Sequence, residues 1–320
     1  MATFESSTQT SPGDKTALVT GATGFLGRHV ARDLRERGWH VVGLGTRPPE
    51  NAPLDVLDEY HSLRLPVPRL AELTAALAPD VCIHCAGRAS VDSSFDDPSG
   101  DLQASVLVTA DLLEALRSTA PHCRLVYASS AAVYGEPLSL PVSEDQPLAP
   151  ISPYGYHRQL CEGLCHEYAQ VYGLRITVAR IFSAYGPGLR RQVLWDICRR
   201  ALTDRELVLR GTGDETRDFI HGHDVGRALV HLAMEADGRG ECINVASGRG
   251  TRIRELAELA LGHLNGGTPL RFSGESHTGN PTHWQASISR LTDLGFSPRV
   301  PLGAGVAAYA DWSRAEMRGW

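Results

Sequence analysis

Three spaced glycines, Gly21-Ala22-Thr23-Gly24-Phe25-Leu26-Gly27, directly follow the apolar run Thr16–Thr20 and constrain this chain more than any other feature. Each glycine removes a side chain for its own reason. The first permits a tight turn, the second lets a pyrophosphate approach the backbone, and the third lets the next helix pack closely on the strand. From Phe25 to Arg37 apolar residues recur at helical spacing. The turn therefore opens a helix whose first N–H groups are free and whose dipole is positive at that end, which suits a phosphate. Between a first strand and a first helix, the pattern reads as a dinucleotide site rather than a structural turn. Its candidate binding residues are Gly21, Thr23, Gly24, Phe25, Leu26 and Gly27.

The alternation then continues. Strands are predicted at Thr16–Thr20, His40–Leu44, Val81–Cys85, Arg124–Ala128 and Arg175–Ile181. Helices are predicted at Phe25–Arg37, Leu70–Leu77, Asp101–Ser118 and Tyr154–Tyr172. This order implies an α/β fold, a Rossmann-type doubly wound parallel sheet with right-handed crossovers. After Ser183 the pattern loosens at Gly186-Pro187-Gly188. Helices at Val193–Leu202, Asp224–Met234, Ile253–Leu264 and Gly303–Met317 follow, with a strand at Cys242–Ala246. The expected organisation is a disordered tail over 1–14 and a dinucleotide-binding domain over 15–182, completed by about 217–247. Segments 183–216 and 248–320 would form a smaller C-terminal α/β substrate lobe.

Composition narrows the partners. A net charge of −6 argues against nucleic acid, which favours a basic face. No apolar run approaches the roughly 18 residues that span a bilayer, and the polar, Ser/Thr-rich start has no secretory core. Seven dispersed cysteines suit a reducing cytoplasm better than a disulfide framework. Cys82 and Cys85 are spaced like a metal or redox pair, but three residues apart on a strand they point to opposite faces, so no metal is expected. His157, Cys161 and Cys165 share one helical face, as expected for buried packing or a subunit contact. Lys15 is the only lysine among 31 basic residues.

The second strand ends Gly43-Leu44-Gly45-Thr46-Arg47. An acidic residue that binds the adenosine ribose belongs where Gly45 stands. Its loss, with Arg47 nearby, is how a 2′-phosphate is accommodated. NAD and NADP both stay open, and Arg47 is either a phosphate contact or a solvated loop residue.

Two segments carry chemistry: Val126-Tyr127-Ala128-Ser129-Ser130-Ala131-Ala132-Val133-Tyr134-Gly135 and Ser152-Pro153-Tyr154-Gly155-Tyr156-His157-Arg158. The first lies at a strand's C-terminal end, where such sheets bind ligands. The second opens a helix, with Pro153 at its entry. A hydroxyl and a phenol meeting there can move a proton to or from a carbinol. A phenol of ordinary pKa near 10 needs a cation beside it to act as a base at neutral pH.

With these motifs the chain resembles the nucleotide-sugar epimerase/dehydratase branch of the extended short-chain dehydrogenase/reductase superfamily. The resemblance runs from Thr16 to Trp312. It includes His84-Cys85-Ala86-Gly87, Arg180-Ile181-Phe182-Ser183-Ala184-Tyr185-Gly186-Pro187, Gly211-Thr212-Gly213-Asp214 with Arg217-Asp218-Phe219, and Asn244-Val245-Ala246-Ser247-Gly248. It implies Tyr154 as acid/base and Ser130 as a hydrogen-bond partner of the sugar hydroxyl. It also implies Ala86, Gly87, Ile181 and Phe182 beside the cofactor, Ser94 and Ser183 near the sugar, and Arg217 on the substrate diphosphate, a role that bidentate pairing suits. A homodimer through the Tyr154 and Asp101 helices, and a place in nucleotide-sugar metabolism feeding polysaccharide or glycoside biosynthesis, are likewise expected by analogy.

The chain departs from that family in informative places. Arg158 stands where the family has the Lys that holds the nicotinamide ribose and charges the site. Arg keeps the charge and donors but is larger, planar and directional. Ser183 replaces an Asn, and Leu65-Pro66 occupies a region where an Asp often contacts adenine. Ala131 and Ala132 stand where sugar dehydratases carry an acid pair, which removes the proton carriers for elimination. The leading expectation is C4 epimerisation of a nucleotide sugar through a 4-keto intermediate, with NAD or NADP bound. The alternatives are an NADP-dependent 4-keto sugar reductase and a non-catalytic dinucleotide-binding protein.

Overall fold

A computed structural model describes residues 15–51, 54–264, 267–274 and 281–318. The tail expected over 1–14 lies outside them. Twelve strands appear among the described residues. They are β1 Thr16–Thr20, β2 His40–Gly45, β3 Glu59–Ser62, β4 Val81–His84, β5 Arg124–Ser130, β6 Arg175–Ile181, β7 Ser183–Tyr185, β8 Leu207–Leu209, β9 Thr216–His221, β10 Arg239–Val245, β11 Gly250–Arg252 and β12 Leu270–Phe272. Seven form one parallel sheet in the order β10-β6-β5-β4-β1-β2-β3. The order reverses between β1 and β4, which opens the ligand crevice of a doubly wound sheet. The expected fold class is the observed one.

Helices cover both faces. They are α1 Phe25–Glu36, α2 Arg69–Leu77, α3 Val91–Asp96, α4 Pro98–Leu102, α5 Val108–Thr119, α6 Pro153–Tyr172, α7 Gln192–Thr203, α8 Gly222–Glu235, α9 Ile253–Leu264, α10 Ser289–Asp293 and α11 Leu302–Arg318. Side chains alternate along each strand. Ala17, Val19, Ile83 and Val126 pack under α1 and α8, whereas Leu18, Cys82, Leu125 and Tyr127 pack under α2, α5 and α6. Cys82 and Cys85 fall into opposite layers, as their spacing requires. Cys161 and Cys165 are packed in the second layer. A separate apolar core gathers Leu194 and Ile197 of α7, Leu256 and Ala260 of α9, and Val306 and Tyr309 of α11.

Three differences from the sequence reading matter. Strand β3 is short and polar, Glu-Tyr-His-Ser, and its pairing with β2 supplies what its composition does not. The short strands β7, β8, β9, β11 and β12 likewise lack a pattern long enough to read. The single helix predicted over Asp101–Ser118 is interrupted by a π turn at Gln103–Leu107. That widened turn inserts a residue into the helical repeat and re-aims its side chains. Gln103 and Ala104 consequently line the crevice.

A buried polar cluster ties α6 to the sheet. Arg180 of β6 makes a two-pronged ion pair with Glu162 of α6, at 2.8 Å from Nη2 to Oε2 and 3.2 Å from Nε. Glu162 also accepts from Ser129 at 2.5 Å. Arg180 donates to the Tyr134 hydroxyl at 3.0 Å, and that hydroxyl donates to Asn244 Oδ1 at 2.7 Å. Several signature residues of the sequence are therefore structural: they join β5, β6, β10 and α6. Removing one partner of a buried pair leaves an uncompensated charge, which costs about 3–5 kcal/mol. Glu162→Ala should lower stability by about that amount in chemical denaturation, whereas breaking the exposed Arg117–Glu114 pair should change it little.

Candidate active site

The turn after β1 forms the floor of a cavity of about 670 Å³ lined by Gly21, Gly24, Thr46, Ala86, Gly87 and Gln103, among others. Gly21 has φ +68°, and a Cβ there would stand 2.7 Å from the Cys85 carbonyl. A Cβ on Gly27 would overlap the Gly21 carbonyl, so α1 can approach only without a side chain there. These bare positions leave a cradle in which backbone N–H groups and the α1 dipole face the cavity. The Phe25 and Leu26 side chains turn inward instead. The Phe25 ring packs edge-on to His29 at 5.2 Å against Gly222 of α8, and Leu26 packs into the core. Both can serve a phosphate through their backbone only.

Buried polar groups hold the floor. Thr20 bonds His84 Nδ1 at 2.6 Å and accepts from Ala86 N at 3.2 Å. Burial, with the Arg158 cation adding to it, pushes the His84 ring down to about 3. His84 is therefore a neutral strut between β1, β4 and Thr109, whose hydroxyl lies 3.2 Å from Nε2. The cradle and the cavity over it fit a dinucleotide.

Ser130 ends β5 and Tyr154 opens α6. A Cβ on Gly155 would stand 2.6 Å from the Ala132 carbonyl, so this bare position lets the helix start close against the segment that follows Ser130. Ser152 caps the helix by accepting from Gly155 N at 3.1 Å. Ser94, expected near the sugar, packs against the start of α6. Its residue is fully buried, its hydroxyl donates to the Val91 carbonyl at 2.6 Å, and it accepts from Tyr154 N at 3.1 Å. It anchors the backbone of Tyr154, because α3 packs against the start of α6.

Arg158 lies one helical turn beyond Tyr154, with its guanidinium 5.0 Å from the Tyr154 ring centroid. It is 5% exposed and makes no ion pair with a carboxylate among the described residues. Its donors go instead to the Tyr127 hydroxyl at 2.9 Å, the Ala128 carbonyl at 3.2 Å and the Arg88 carbonyl at 2.6 Å. Burial pushes the Tyr127 phenol well above its ordinary range, against the opposing pull of Arg158, so Tyr127 stays neutral. Nη2 of Arg158 lies 3.3 Å from where a Gly87 Cβ would stand, directly behind the cavity wall. Arg158 Nε and Ser105 Oγ are both buried without a partner.

On the open side, Ile181 ends β6 beside Ser130, and the Phe182 ring packs between Tyr134 and Trp284 at 6.3 and 5.8 Å. Ser183 starts β7 and is half-buried. Arg217 stacks on Trp284 at 5.6 Å and donates to the Thr216 and Thr282 carbonyls, with no carboxylate partner in an ion pair among the described residues. Its neighbour Asp218 is fully buried and accepts from Ser247 N, Gly248 N and Ala286 N, which fixes the strand that carries Arg217. Arg191, at the α7 N-cap, is a residue the sequence reading missed. Arg191 is exposed, with the Tyr154 phenol and Arg158 within electrostatic reach.

Residues 17–246 match the model of the NAD dependent epimerase/dehydratase family. The chain belongs to this family. Its relatives include a UDP-glucose 4-epimerase of Mycolicibacterium smegmatis, 30% identical over 93% of this chain and 98% of that one. They also include a GDP-6-deoxy-D-mannose reductase of Pseudomonas aeruginosa, 32% identical over 76% of this chain and 78% of that one. Among solved structures, UDP-glucuronic acid 4-epimerase from Bacillus cereus, in complex with UDP-glucuronic acid and NAD, superposes with a TM-score of 0.85. It is 29% identical over 94% of this chain and 99% of that one.

Within the family, the exchange of Lys for Arg at 158 now has a structural account. Three acceptors take up the extra donors of the guanidinium, so the larger group is housed rather than left crowding the crevice. Arg158→Lys should keep dinucleotide binding within about tenfold, whereas Arg158→Ala should lose more than that. Titration of each variant with nicotinamide dinucleotide, monitored by fluorescence, checks both.

Proposed function

We propose that this protein is a nucleotide-sugar C4 epimerase. The observation that carries the reading is the Tyr154 phenol at the opening of α6, with the Arg158 guanidinium against its ring and Ser130 at the adjoining strand end. A bound nicotinamide supplies the hydride acceptor, and then the donor, for the sugar's C4. Tyr154 takes the C4 hydroxyl proton as the carbonyl forms and returns it after the sugar has presented its other face. Ser130 holds the same oxygen by a hydrogen bond. Arg158 provides the positive charge that favours this transfer. Ala131 and Ala132 are buried and carry no acid, so elimination of water has no proton carrier.

Arg217, stacked on Trp284 with donors to spare, suits the substrate diphosphate. Ser183 faces the sugar from β7. Arg191 makes no hydrogen bond or ion pair among the described residues, and it favours a sugar that bears a carboxylate. The uronate of the Bacillus cereus neighbour is such a sugar. The chemistry belongs to nucleotide-sugar metabolism that feeds polysaccharide or glycoside assembly. No helix among the described residues is long and apolar enough to cross a membrane, and seven free thiols suit the cytoplasm.

Chromatographic assay of UDP-glucose with UDP-galactose, and of UDP-glucuronate with UDP-galacturonate, tests this function. Interconversion of at least one pair is expected, and Tyr154→Phe should slow it by about 10²–10⁴-fold without unfolding the protein. Consumption of one equivalent of reduced dinucleotide per 4-keto sugar, with no interconversion, would place the chain with the Pseudomonas aeruginosa reductase instead.

A homodimer through α6 is part of the same reading. Tyr156 and Leu160 of α6 are exposed, with Phe95 of α3 and Leu107 of the π turn exposed nearby. Gly163 continues the Tyr156–Leu160 face, and a Cβ there would meet nothing. This apolar face, with a bare position, suits a second helix at close range. Light scattering after gel filtration should give twice the chain mass, and Leu160→Glu should shift the protein to the monomer.

A further inference from the structure

Among the described residues, the Arg158 guanidinium has three acceptors. Two of them, the Ala128 and Arg88 carbonyls, are backbone that any residue would provide. The third is a side chain, the Tyr127 hydroxyl, 2.9 Å from Nη1. Tyr127 belongs to β5, points to the face of the sheet that α6 covers, and is fully buried. Its ring leans on that of His84, its register partner on β4, with centroids 5.7 Å apart. Packing fixes the ring, and with it the place of the hydroxyl.

The same guanidinium lies close to two phenol rings, 5.8 Å from the Tyr127 centroid and 5.0 Å from that of Tyr154. Tyr154 and Arg158 share one face of α6, whereas Tyr127 comes from the sheet beneath. The two phenols play different parts. Burial keeps Tyr127 protonated, so it accepts from Arg158 without cancelling its charge. A carboxylate in its place would hold the guanidinium as firmly and neutralise it. A neutral phenol orients the cation and leaves its field for Tyr154. Reach matters as well. A lysine nitrogen would stand where Cζ stands, one bond short of Nη1, so the Tyr127 hydroxyl is set at the distance of a guanidinium rather than an ammonium.

We propose that Tyr127 is a positioning residue for the reaction: its buried hydroxyl holds the Arg158 guanidinium in the orientation that presents its charge to Tyr154, and so fits this site to arginine. The proposal rests on reading Tyr154 as the group that moves the sugar hydroxyl proton. Without the hydroxyl, Nη1 keeps the Ala128 carbonyl at 3.2 Å and loses its side-chain anchor. The guanidinium then turns toward its backbone acceptors and away from the geometry that serves Tyr154.

Turnover of whichever sugar pair the wild-type protein interconverts is compared with that of Tyr127→Phe, Arg158→Lys and the double variant. Tyr127→Phe should lower kcat roughly 10–100-fold, the scale of a misplaced group at a reacting centre, while KM for the nucleotide sugar stays within about threefold. In the Arg158→Lys background the same change should lower kcat by less than about threefold, because the group it orients is gone. An equal loss in both backgrounds makes Tyr127 a packing residue and overturns the proposal, as does a Tyr127→Phe kcat within about threefold of wild type. Failure of both proteins carrying Tyr127→Phe to fold, read by circular dichroism, also overturns it. The four proteins are titrated with nicotinamide dinucleotide too, which needs no turnover. If wild type interconverts no sugar, the epimerase reading fails. A non-additive loss of dinucleotide affinity then still supports Tyr127 as the group that places Arg158, and an additive or absent loss overturns that role as well.

Discussion

The position of α6 depends on a buried ion pair. Arg180 and Glu162 meet in the sheet layer, each with a side chain about 6% exposed. Their charges are tolerable there only because every neighbour contributes a bond: Ser129 from β5, Tyr134 beyond it, and Asn244 from β10 behind Tyr134. The cluster fixes the rotation and height of α6 against β5 and β6. The phenol at the start of that helix then has one place to stand, beside the end of β5. A flexible surface helix could carry the same Tyr154 without holding it in one place against the end of β5.

Local devices complete what the ion pair begins. Gly155 lets the helix start against Ala132, Ser152 caps it, and Ser94 holds the Tyr154 backbone from α3. On the crevice side, His84 and Thr20 hold the Ala86 turn, and Gly21 and Gly27 let that turn and α1 close up. Much of the family's signature thus serves rigidity. Ser94 shows such a role, since its hydroxyl holds the Tyr154 backbone.

Arg158 illustrates how a larger cation is accommodated in a buried place beside Tyr154. A lysine ammonium is compact, whereas a guanidinium needs planar acceptors on several sides. The structure supplies them from Tyr127, Ala128 and Arg88, all reached by the end of the longer side chain. The positive charge stays next to Tyr154, and the donor left over, Nε, is buried without a partner. A chain with a single lysine has kept the charge at this point and changed only its shape.

The glycine turn, the alternating strands and helices, and the Ser-Ala-Ala-Val-Tyr-Gly and Pro-Tyr-Gly segments determined the fold class and the crevice, and named Ser130 and Tyr154 as candidates at its edge. These are local patterns, with their physical meaning contained in a few consecutive residues: a bare turn, an apolar period, a capped helix start. What needed tertiary structure was everything made by partners far apart in the chain. Tyr60 fills the space beside Gly45 from a strand too short and polar to be read. The π turn breaks a helix whose apolar spacing looked continuous. Arg191, at the start of α7, comes within electrostatic reach of Tyr154. The sequence alone determined which backbone shapes were allowed, because those follow from local sterics and periodicity. Only the tertiary structure decided which charges and hydroxyls share a space, because that depends on packing across separations the pattern does not encode.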